Sequence, residues 1–249
     1  MTDSLVVVSA GFSPVKGMRH LPRPGLALDE LGAVGDRQWC LLDVDAARVL
    51  RTVQHPSLIG VVAEQDGDGL AVLLPDGTGA SFEPEPTGET LPCDYWGRTV
   101  ELALTDGPHS ELLSDYLGRP VQLAAAPRGA VVFDAPVTLL GTATLADLAA
   151  RLDRPSLVSE DARFRSTLVV ETSEPYVEDT WLGRTVTVGS AVLRIGGPVP
   201  RCAVIDHHPE TGARDLRLLK ALVSHRPVNA ANEPVLGVYA SVVRPGVVG

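Results

Sequence analysis

Short β-branched segments, separated by glycine and proline turns, are the feature that most constrains the fold of this chain. Its 249 residues include 24 glycines and 20 prolines, and aromatic residues make up only 4% of the total. Valine-rich stretches fit a pleated, half-buried surface better than a helix. The sequence therefore predicts a β-rich α+β fold in which a few helices pack against many short strands.

Apolar runs bounded by turn residues predict strands along most of the chain. In the first half we expect strands at residues 4–12, 38–44, 48–53, 58–63, 69–74 and 99–104. In the second half we expect them at residues 166–171, 184–188, 191–195 and 235–243. Asp45 and Ala46 are typical of a hairpin turn, residues 75–77 of a second turn, and residues 83–88 of an acidic loop. This spacing favours a strand-rich fold over a helical bundle.

Three helices are expected between these strands. Pro108 opens the first, which runs to Leu117 and is followed by Gly118 in the position that favours a left-handed residue. Thr144 is the predicted N-cap of the second, because apolar residues then recur at intervals of three and four. A third helix is expected near residues 215–224. We expect all three to be packing elements.

The charge balance restricts the partners of the chain. Its 21 basic and 31 acidic residues give a formal net charge of -10. An acidic surface repels polyanions, so neither nucleic acid nor an anionic membrane surface is expected as a partner. A small-molecule substrate is the partner that remains.

Cysteine usage and hydropathy predict a cytoplasmic protein. Cys40, Cys93 and Cys202 lie far apart without a CxxC pair, which suits free thiols in a reducing compartment. The apolar run near the N-terminus is too short for a signal peptide, and no run approaches the roughly 18 to 20 residues of a membrane helix. We therefore expect a soluble protein that is not exported.

Common catalytic signatures give little support to other enzyme classes. The chain has no Gly-x-Ser-x-Gly elbow, Walker loop, Gly-x-Gly-x-x-Gly turn or His-Glu-x-x-His helix. The string Asp206-His207-His208 is similar to one in a phosphoesterase superfamily, but no parallel α/β pattern precedes it. Adjacent histidines on a strand or turn point in different directions, so solvated loop residues are the favoured interpretation of His207 and His208.

Several short motifs, in order along the chain, together resemble the MOSC (molybdenum cofactor sulfurase C-terminal) family. Residues 12–19 resemble its Tyr-Pro-Val-Lys-Ser signature, and residues 162–170 resemble its Arg-Phe-Arg-Pro-Asn block. Residues 198–202 with 209–212 resemble its Cys-x-Arg-Cys segment and the Asp-Pro-x-Thr-Gly that follows. Further matches lie at residues 35–39, 54–56 and 236–239. The resemblance implies a MOSC-type β-barrel core over residues 125–249 and an N-terminal β-barrel domain over residues 1–124, with a cofactor between them.

The same resemblance implies a molybdenum cofactor, Mo-molybdopterin, with Cys202 as its metal ligand. Thiolates suit a soft metal, and this position also makes Cys202 a candidate catalytic residue. The alternative is that Cys202 is a small buried hydrophobe, as free cysteines often are. Asp206, four residues later, is a second candidate catalytic residue, as a proton donor or acceptor.

The resemblance also assigns residues to the phosphate and pterin of the cofactor. Lys16, Arg37 and Arg165 match the cationic positions, and Lys16 is one of only two lysines in the chain. For Arg37 a surface ion pair is an equal alternative, and Arg163 is expected to be structural. The remaining candidate cofactor-binding residues are Gly17, Thr167, Pro200 and Arg201.

The chain departs from the family pattern at three places. Gly17 stands in place of serine, Ser166-Thr167 in place of Pro-Asn, and Val199 in place of the first cysteine. The Thr167 hydroxyl offers only part of the hydrogen bonding of an amide.

The activity implied by the resemblance is reduction of N-oxygenated compounds. Electrons would come from a separate reductase or a ferredoxin-like protein. A sulfur carrier or transferase that uses a Cys202 persulfide is a second interpretation. A carrier of the molybdenum cofactor without turnover is a third.

Overall fold

The fold is built almost entirely from short strands. The computed structural model describes residues 3–249, with the side chains of Asp3 and Asp66 left aside. Its strands are β1 (Asp3–Leu5), β2 (Val7–Phe12), β3 (Leu21–Pro22), β4 (Leu26–Asp29), β5 (Gly32–Ala33), β6 (Trp39–Asp43), β7 (Arg48–Val49), β8 (Val62–Asp66), β9 (Gly69–Leu73), β10 (Gly79–Phe82), β11 (Glu85–Tyr95), β12 (Arg98–Asp106), β13 (Gln122–Ala125), β14 (Val137–Gly141), β15 (Leu168–Val170), β16 (Thr185–Val188), β17 (Ala191–Pro200), β18 (Val235–Arg244) and β19 (Gly246–Val248). The β-rich α+β prediction is confirmed.

Helices are few and short. The α-helices are α1 (Pro108–Leu117), α2 (Thr142–Arg151) and α3 (Leu218–Val223). Single 3-10 turns occupy Pro56–Gly60, Pro155–Ser159, Asp161–Phe164, Val177–Trp181 and Ala203–Asp206. The first α-helix follows its prediction, since it begins at Pro108 and ends before Gly118, which has a φ of 65°.

The strands form an eight-stranded sheet, a closed five-stranded barrel and two smaller sheets. The large sheet has the order β1-β16-β17-β18-β14-β15-β2-β3, and the barrel has the order β11-β12-β13-β6-β7. Three-stranded sheets are formed by β10-β9-β8 and by β19-β4-β5. In the last of these, Leu28 of β4 is paired with Gly246 of β19.

The large sheet is covered on both faces. Leu139 and Val238 belong to one apolar core, while Leu140 and Leu236 belong to a second core with α2 and α3. Successive residues of a strand point to opposite faces, so neighbouring leucines enter different cores. This double burial explains why β14 and β18 are almost uniformly apolar.

A short segment joins the large sheet to the barrel. After β2, Val15 forms a bridge to Trp39 of barrel strand β6, and the backbone N–H of Lys16 donates to the Trp39 carbonyl at 2.8 Å. Strand β2 itself pairs with β15, with Ala10 opposite Leu168. Strands from the first 22 residues therefore belong to the large sheet, whose other strands come from the second half of the chain. The domain boundary at 124/125 stays a prediction.

Three local predictions were wrong. Residues 58–60, predicted as the start of a strand, belong to the 3-10 turn Pro56–Gly60, because Pro56 at the first helical position favours a helical turn. Residues 85–88 belong to β11, which has a register irregularity between Pro86 and Thr90, instead of a loop. Thr144 lies inside α2, which starts after Gly141, and its hydroxyl donates to the buried Glu178 carboxylate at 2.8 Å.

The ends of other elements also differ from their predictions. Strand β17 continues through Gly196 and Gly197 to Pro200, with register shifts that accommodate the glycines and prolines. Several two-residue strands, β3 and β5 among them, are too short to leave a periodic pattern.

Arg163 is structural, as predicted, and it gives a stability test. Its side chain has no exposed area, donates to Asp215 at 2.8 Å and pairs with Glu160. Since removal of one partner of a buried ion pair leaves the others unsatisfied, Arg163→Leu should lower the free energy of unfolding by about 2–4 kcal/mol.

The matched control is Arg151→Leu, whose ion pair with Asp147 is 49% exposed on the arginine side. Its expected loss is below about 1 kcal/mol. Urea unfolding followed by circular dichroism measures both variants. Equal losses would contradict the structural role of Arg163.

Candidate functional site

A cavity of about 220 Å³ opens between the barrel and the large sheet. Its walls come from both halves of the chain. The lining residues are Lys16, Gly17, Arg37, Arg51, Thr52, Val53, Tyr95, Trp96, Phe133, Arg165, Pro200, Cys202, Val204, Glu233 and Tyr239.

Three predicted cations converge on this cavity. Lys16 lies shortly after β2 and Arg37 shortly before β6, whereas Arg165 lies in the turn before β15. Arg37 forms an ion pair with Asp36, whereas Lys16 and Arg165 have no carboxylate partner within the described part of the chain. Two cations therefore face the cavity without a carboxylate paired to them in the part of the chain described.

Local backbone geometry fixes the two arginines. Arg37 and Arg165 both have positive φ, 47° and 52°, a region that side chains other than glycine rarely adopt. The Arg37 N–H donates to the Ser13 carbonyl at 2.8 Å, and the Arg165 guanidinium donates to the Ser13 hydroxyl at 2.7 Å. Strained residues held by surrounding bonds are common at functional sites.

The cations repel one another in a partly dry environment. Burial, together with the charges of Arg37 and Arg165, lowers the pKa of Lys16 to about 8. Burial and the neighbouring Arg37 also lower the pKa of Arg165 to about 10. Lys16 gains some compensation from the Tyr95 ring, whose centroid lies 5.1 Å from its Nζ. A bound anion would relieve this repulsion.

Cys202 presents a free, exposed thiol at the cavity. It follows the end of β17 at Pro200 and caps the 3-10 turn Ala203–Asp206. The alternative interpretation, a small buried hydrophobe, is wrong for Cys202. It describes Cys40 and Cys93 instead, which are buried in the barrel core as free thiols.

Aromatic walls are the part of the site that the sequence did not reveal. Tyr95, Trp96, Phe133 and Tyr239 line the cavity, although the whole chain holds only eleven aromatic residues. The sequence signal for these walls was Trp96-Gly97, which lies between two strand-like runs at a turn position where a bulky ring is seldom found.

Two further predicted residues shape the cavity. Pro200 lines it, and Gly17 has a φ of 91°, so a side chain there would be strained. A Cβ on Gly17 would also lie 3.1 Å from the Thr52 hydroxyl oxygen. The glycine that replaces the family serine therefore fits the local backbone.

Three predicted residues lie outside the cavity lining. Arg201 is buried and donates to the carbonyls of Leu236 and Phe164 at 2.8 and 2.7 Å, and its Nη2 has no hydrogen-bond partner among the described residues. The Thr167 hydroxyl oxygen accepts from the Thr138 N–H at 3.1 Å. Their predicted contacts with a cofactor stay predictions.

Asp206 is the third of these residues. Its carboxylate accepts from the Arg214 guanidinium at 2.7 Å and from the Leu219 N–H at 2.9 Å. The bond to Leu219 ties the 3-10 turn that follows Cys202 to α3. Its predicted role in proton transfer remains untested.

Within residues 3–249, no three side chains of His, Cys, Asp or Glu come together as a protein-only metal site. A helix of the length and apolar character needed to cross a membrane is also missing from this part of the chain.

A family model for the MOSC domain matches residues 88–249, which is more than half of the chain. The chain belongs to the MOSC domain family. This MOSC protein is 27% identical to molybdenum cofactor sulfurase from Caenorhabditis elegans over 239 residues, 90% of this chain and 32% of that protein. It is 33% identical to mitochondrial amidoxime-reducing component 1 from Danio rerio over 116 residues, 45% of this chain and 34% of that protein.

The MOSC chain thus spans about a third of the length of these curated relatives. Among solved structures, it is similar to the YuaD protein from Bacillus subtilis, with 12% identity and a TM-score of 0.46. That comparison covers 98% of this chain and 90% of the other.

The Lys16 pKa predicts a pH-dependent anion affinity. Inorganic sulfate is a suitable probe because it does not titrate near neutral pH. Lys16 loses its charge as pH rises through about 8, so sulfate affinity should fall about tenfold between pH 7 and 9. Isothermal titration calorimetry measures this fall.

Two variants control the sulfate experiment. Lys16→Arg should bind sulfate with a flat pH profile, because arginine keeps its charge throughout this range. Lys220→Met removes the other lysine, which is exposed on α3, and should leave the profile unchanged. A wild-type profile that is flat between pH 7 and 9 would contradict the assignment.

The same charge should reduce stability when no anion is bound. The pKa of Lys16 is lower in the folded state than its usual value of 10.5, so the unfolded chain binds more protons at this site between pH 8 and 10.5. The Lys16 contribution to stability should therefore rise with pH across that interval, whereas burial raises the pKa of the Cys40 thiol to about 12 and gives an opposite contribution above pH 9. Lys16→Met should raise the Tm at pH 7, and this gain over the wild type should shrink towards pH 10.5, whereas Lys220→Met should match the wild type throughout. Differential scanning calorimetry without phosphate or sulfate tests this, and a lower Tm for Lys16→Met would refute it.

Proposed function

We propose that this protein binds a molybdenum cofactor in the cavity between barrel and sheet and reduces N-oxygenated compounds there. One observation carries the proposal: the exposed Cys202 thiol shares its cavity with Lys16, Arg37 and Arg165. A soft thiolate ligand beside a cluster of phosphate-binding cations matches the two ends of a molybdopterin.

The residues present fit such a group. Two of the three cations have no carboxylate partner in the part of the chain described, so an anionic phosphate would complete them. Guanidinium groups offer paired donors to phosphate oxygens, and Lys16 adds a mobile ammonium. The aromatic walls accept a flat ring system. Gly17 contributes its backbone to the same surface, and Pro200 contributes its rigid ring.

Each residue then has a separate task. Cys202 supplies the metal ligand, and Lys16, Arg37 and Arg165 hold the phosphate. When bound, the cofactor supplies two-electron oxygen-atom transfer chemistry. The protein side of the reaction is to fix the substrate and the cofactor in one dry, positively charged cavity.

Arg201 supports this arrangement from behind the cavity. Its guanidinium bonds the Phe164 carbonyl, next to Arg165, while its own backbone leads directly to Cys202. Its bond to the Leu236 carbonyl ties both to β18. The phosphate-binding arginine and the thiol are thereby held in a fixed relation, which is the task of residues around a metal ligand.

The electrons for this reduction must come from a redox partner. We assign them to a separate reductase or ferredoxin-like protein, because the three free cysteines of this chain, two of them buried, are fewer than the four thiolates of a typical iron–sulfur site. The net charge of -10 disfavours nucleic acid or an anionic membrane surface as a further partner. Cytoplasmic localisation belongs to the same proposal.

A second candidate function is sulfur transfer through a Cys202 persulfide. The similarity to molybdenum cofactor sulfurase extends over 90% of this chain, and the thiol is exposed enough to be modified. In that reaction the Cys202 thiolate would attack the outer sulfur of a donor persulfide, so that the donor thiolate leaves, and an acceptor thiolate would then take this sulfane sulfur and release the Cys202 thiolate. The cationic cavity would then bind the acceptor instead of a resident cofactor.

Metal content discriminates between the two functions. We expect equimolar molybdenum and pterin in the purified wild type and at least about a tenfold loss of molybdenum in Cys202→Ala, since no second thiol lines the described cavity. Elemental analysis and pterin fluorescence measure both. Cys93→Ala, which alters a buried thiol of the barrel, is the control and should retain molybdenum.

Other results point elsewhere. A wild type without molybdenum but with labile sulfane sulfur on Cys202 would support the transferase. Undiminished molybdenum in Cys202→Ala would refute the ligand assignment. Benzamidoxime reduction with an artificial electron donor then separates an enzyme from a cofactor carrier without turnover.

A further inference from the structure

We propose that Trp96, Phe133 and Arg51 form a stacking subsite at the mouth of the cavity, which binds the aromatic ring of the substrate. This inference rests on the proposed function and adds a substrate class: planar, aromatic N-oxygenated compounds in preference to aliphatic ones. Neither Trp96 nor Phe133 belongs to the motifs that predicted the cofactor site.

The two rings stand together and are half exposed. Their centroids lie 5.2 Å apart with an interplanar angle of 80°, and the exposed fractions are 45% for Trp96 and 47% for Phe133. The Arg51 guanidinium carbon lies 4.1 Å from the Trp96 ring centroid. All three residues line the cavity that contains Cys202. An exposed aromatic pair continuous with a reactive cavity is a feature of ligand sites.

The backbone at Trp96 is unfavourable for such a large residue. Trp96 and Gly97 form the turn between β11 and β12, with Tyr95 paired to Arg98, and their φ values are 55° and 77°. Two positive φ values are typical of a type I′ turn, which favours Asn, Asp or Gly at the first position. Tryptophan there costs conformational free energy, so its presence calls for a function outside the turn.

The subsite is rigid before a ligand arrives. The Arg98 guanidinium donates to the Val132 carbonyl at 2.5 Å, which links the turn of Trp96 to the loop of Phe133. The Asp94 carboxylate accepts from the Gly97 N–H at 2.9 Å and lies 3.6 Å from the Arg51 guanidinium. These contacts hold the aromatic pair and its cation in one arrangement, and a preorganised surface binds a ring at lower entropic cost.

Two ligands have a planar ring that could stack here: the substrate and the pterin of the cofactor. The position favours the substrate. Lys16 and Arg165 are partly buried among the residues that line the cavity, whereas Trp96 and Phe133 are 45% and 47% exposed at its mouth. A phosphate held by the cations places the cofactor deep in the cavity and leaves the outer rings free for the molecule that enters from solvent.

The test compares benzamidoxime with acetamidoxime on the molybdenum-loaded enzyme with an artificial electron donor. In Trp96→Asn and in Phe133→Leu, the KM for benzamidoxime should rise by about three- to tenfold, whereas the KM for acetamidoxime should change by less than about twofold. Trp96→Phe should restore most of the benzamidoxime affinity. Phe82→Leu alters an exposed ring on β10, outside the cavity, and should leave both KM values unchanged.

Stability separates a binding role from a structural one. Asparagine tolerates positive φ, so Trp96→Asn should have a Tm equal to or above that of the wild type. A lower Tm together with equal KM changes for both amidoximes would overturn the subsite. A loss of pterin from Trp96→Asn would assign the rings to the cofactor, which also overturns the proposal.

Tryptophan fluorescence tests the subsite without turnover. Benzamidoxime should quench the wild type more than Trp96→Asn, in which Trp39 and Trp181 remain, and acetamidoxime should quench neither. If the wild type reduces no amidoxime but this difference is present, the proposed reaction fails and the ring subsite stands. Equal quenching of wild type and variant would refute the subsite whatever the reaction.

Discussion

Ser13 is the point through which the two halves of the site are held together. Its carbonyl accepts from the Arg37 N–H and its hydroxyl accepts from the Arg165 guanidinium, at 2.8 and 2.7 Å. Its own N–H donates to the Asp36 carboxylate at 3.2 Å. One buried serine thus connects the segment before the barrel to the turn before β15, and both strained arginines depend on it. Without this connection Arg37 would have no fixed relation to Arg165 and, through it, to Cys202.

The site illustrates how binding capacity opposes stability. Three positive side chains share a partly dry cavity in which burial and mutual repulsion shift the pKa values of Lys16 and Arg165 downward. The positive φ of Arg37, Arg165 and Trp96 adds backbone strain in the same region. The surrounding cores, to which the largely apolar strands β14 and β18 contribute, supply the stability that tolerates this arrangement. A polyanion with a flat ring system is the kind of ligand that would remove these penalties together.

Much of the fold and part of the site could be predicted from the sequence. Strong local signals were correct where the structure depends on neighbours in the chain, as at α1, β9 and the turn at Asp45. Motif resemblance also selected six residues that the structure places around one cavity: Lys16, Gly17, Arg37, Arg165, Pro200 and Cys202. It did not separate them from Arg201 and Asp206, because a motif does not reveal which way a side chain points. Trp96 and Phe133 were missed because their meeting depends on the β11–β12 hairpin and a tertiary contact through Arg98.

The pairing of β4 with β19 and of β2 with β15 has a consequence for how the molecule is made. These contacts join stretches far apart in the sequence, and their loop-closure entropy must be overcome before the sheet can form. During synthesis on the ribosome, the segment with Lys16 emerges long before the one with Cys202. The early strands must therefore wait, with unpaired edges, for partners that are translated much later. A pocket assembled in this order has no completed walls until those later strands have emerged, so any prosthetic group can be captured only after that point.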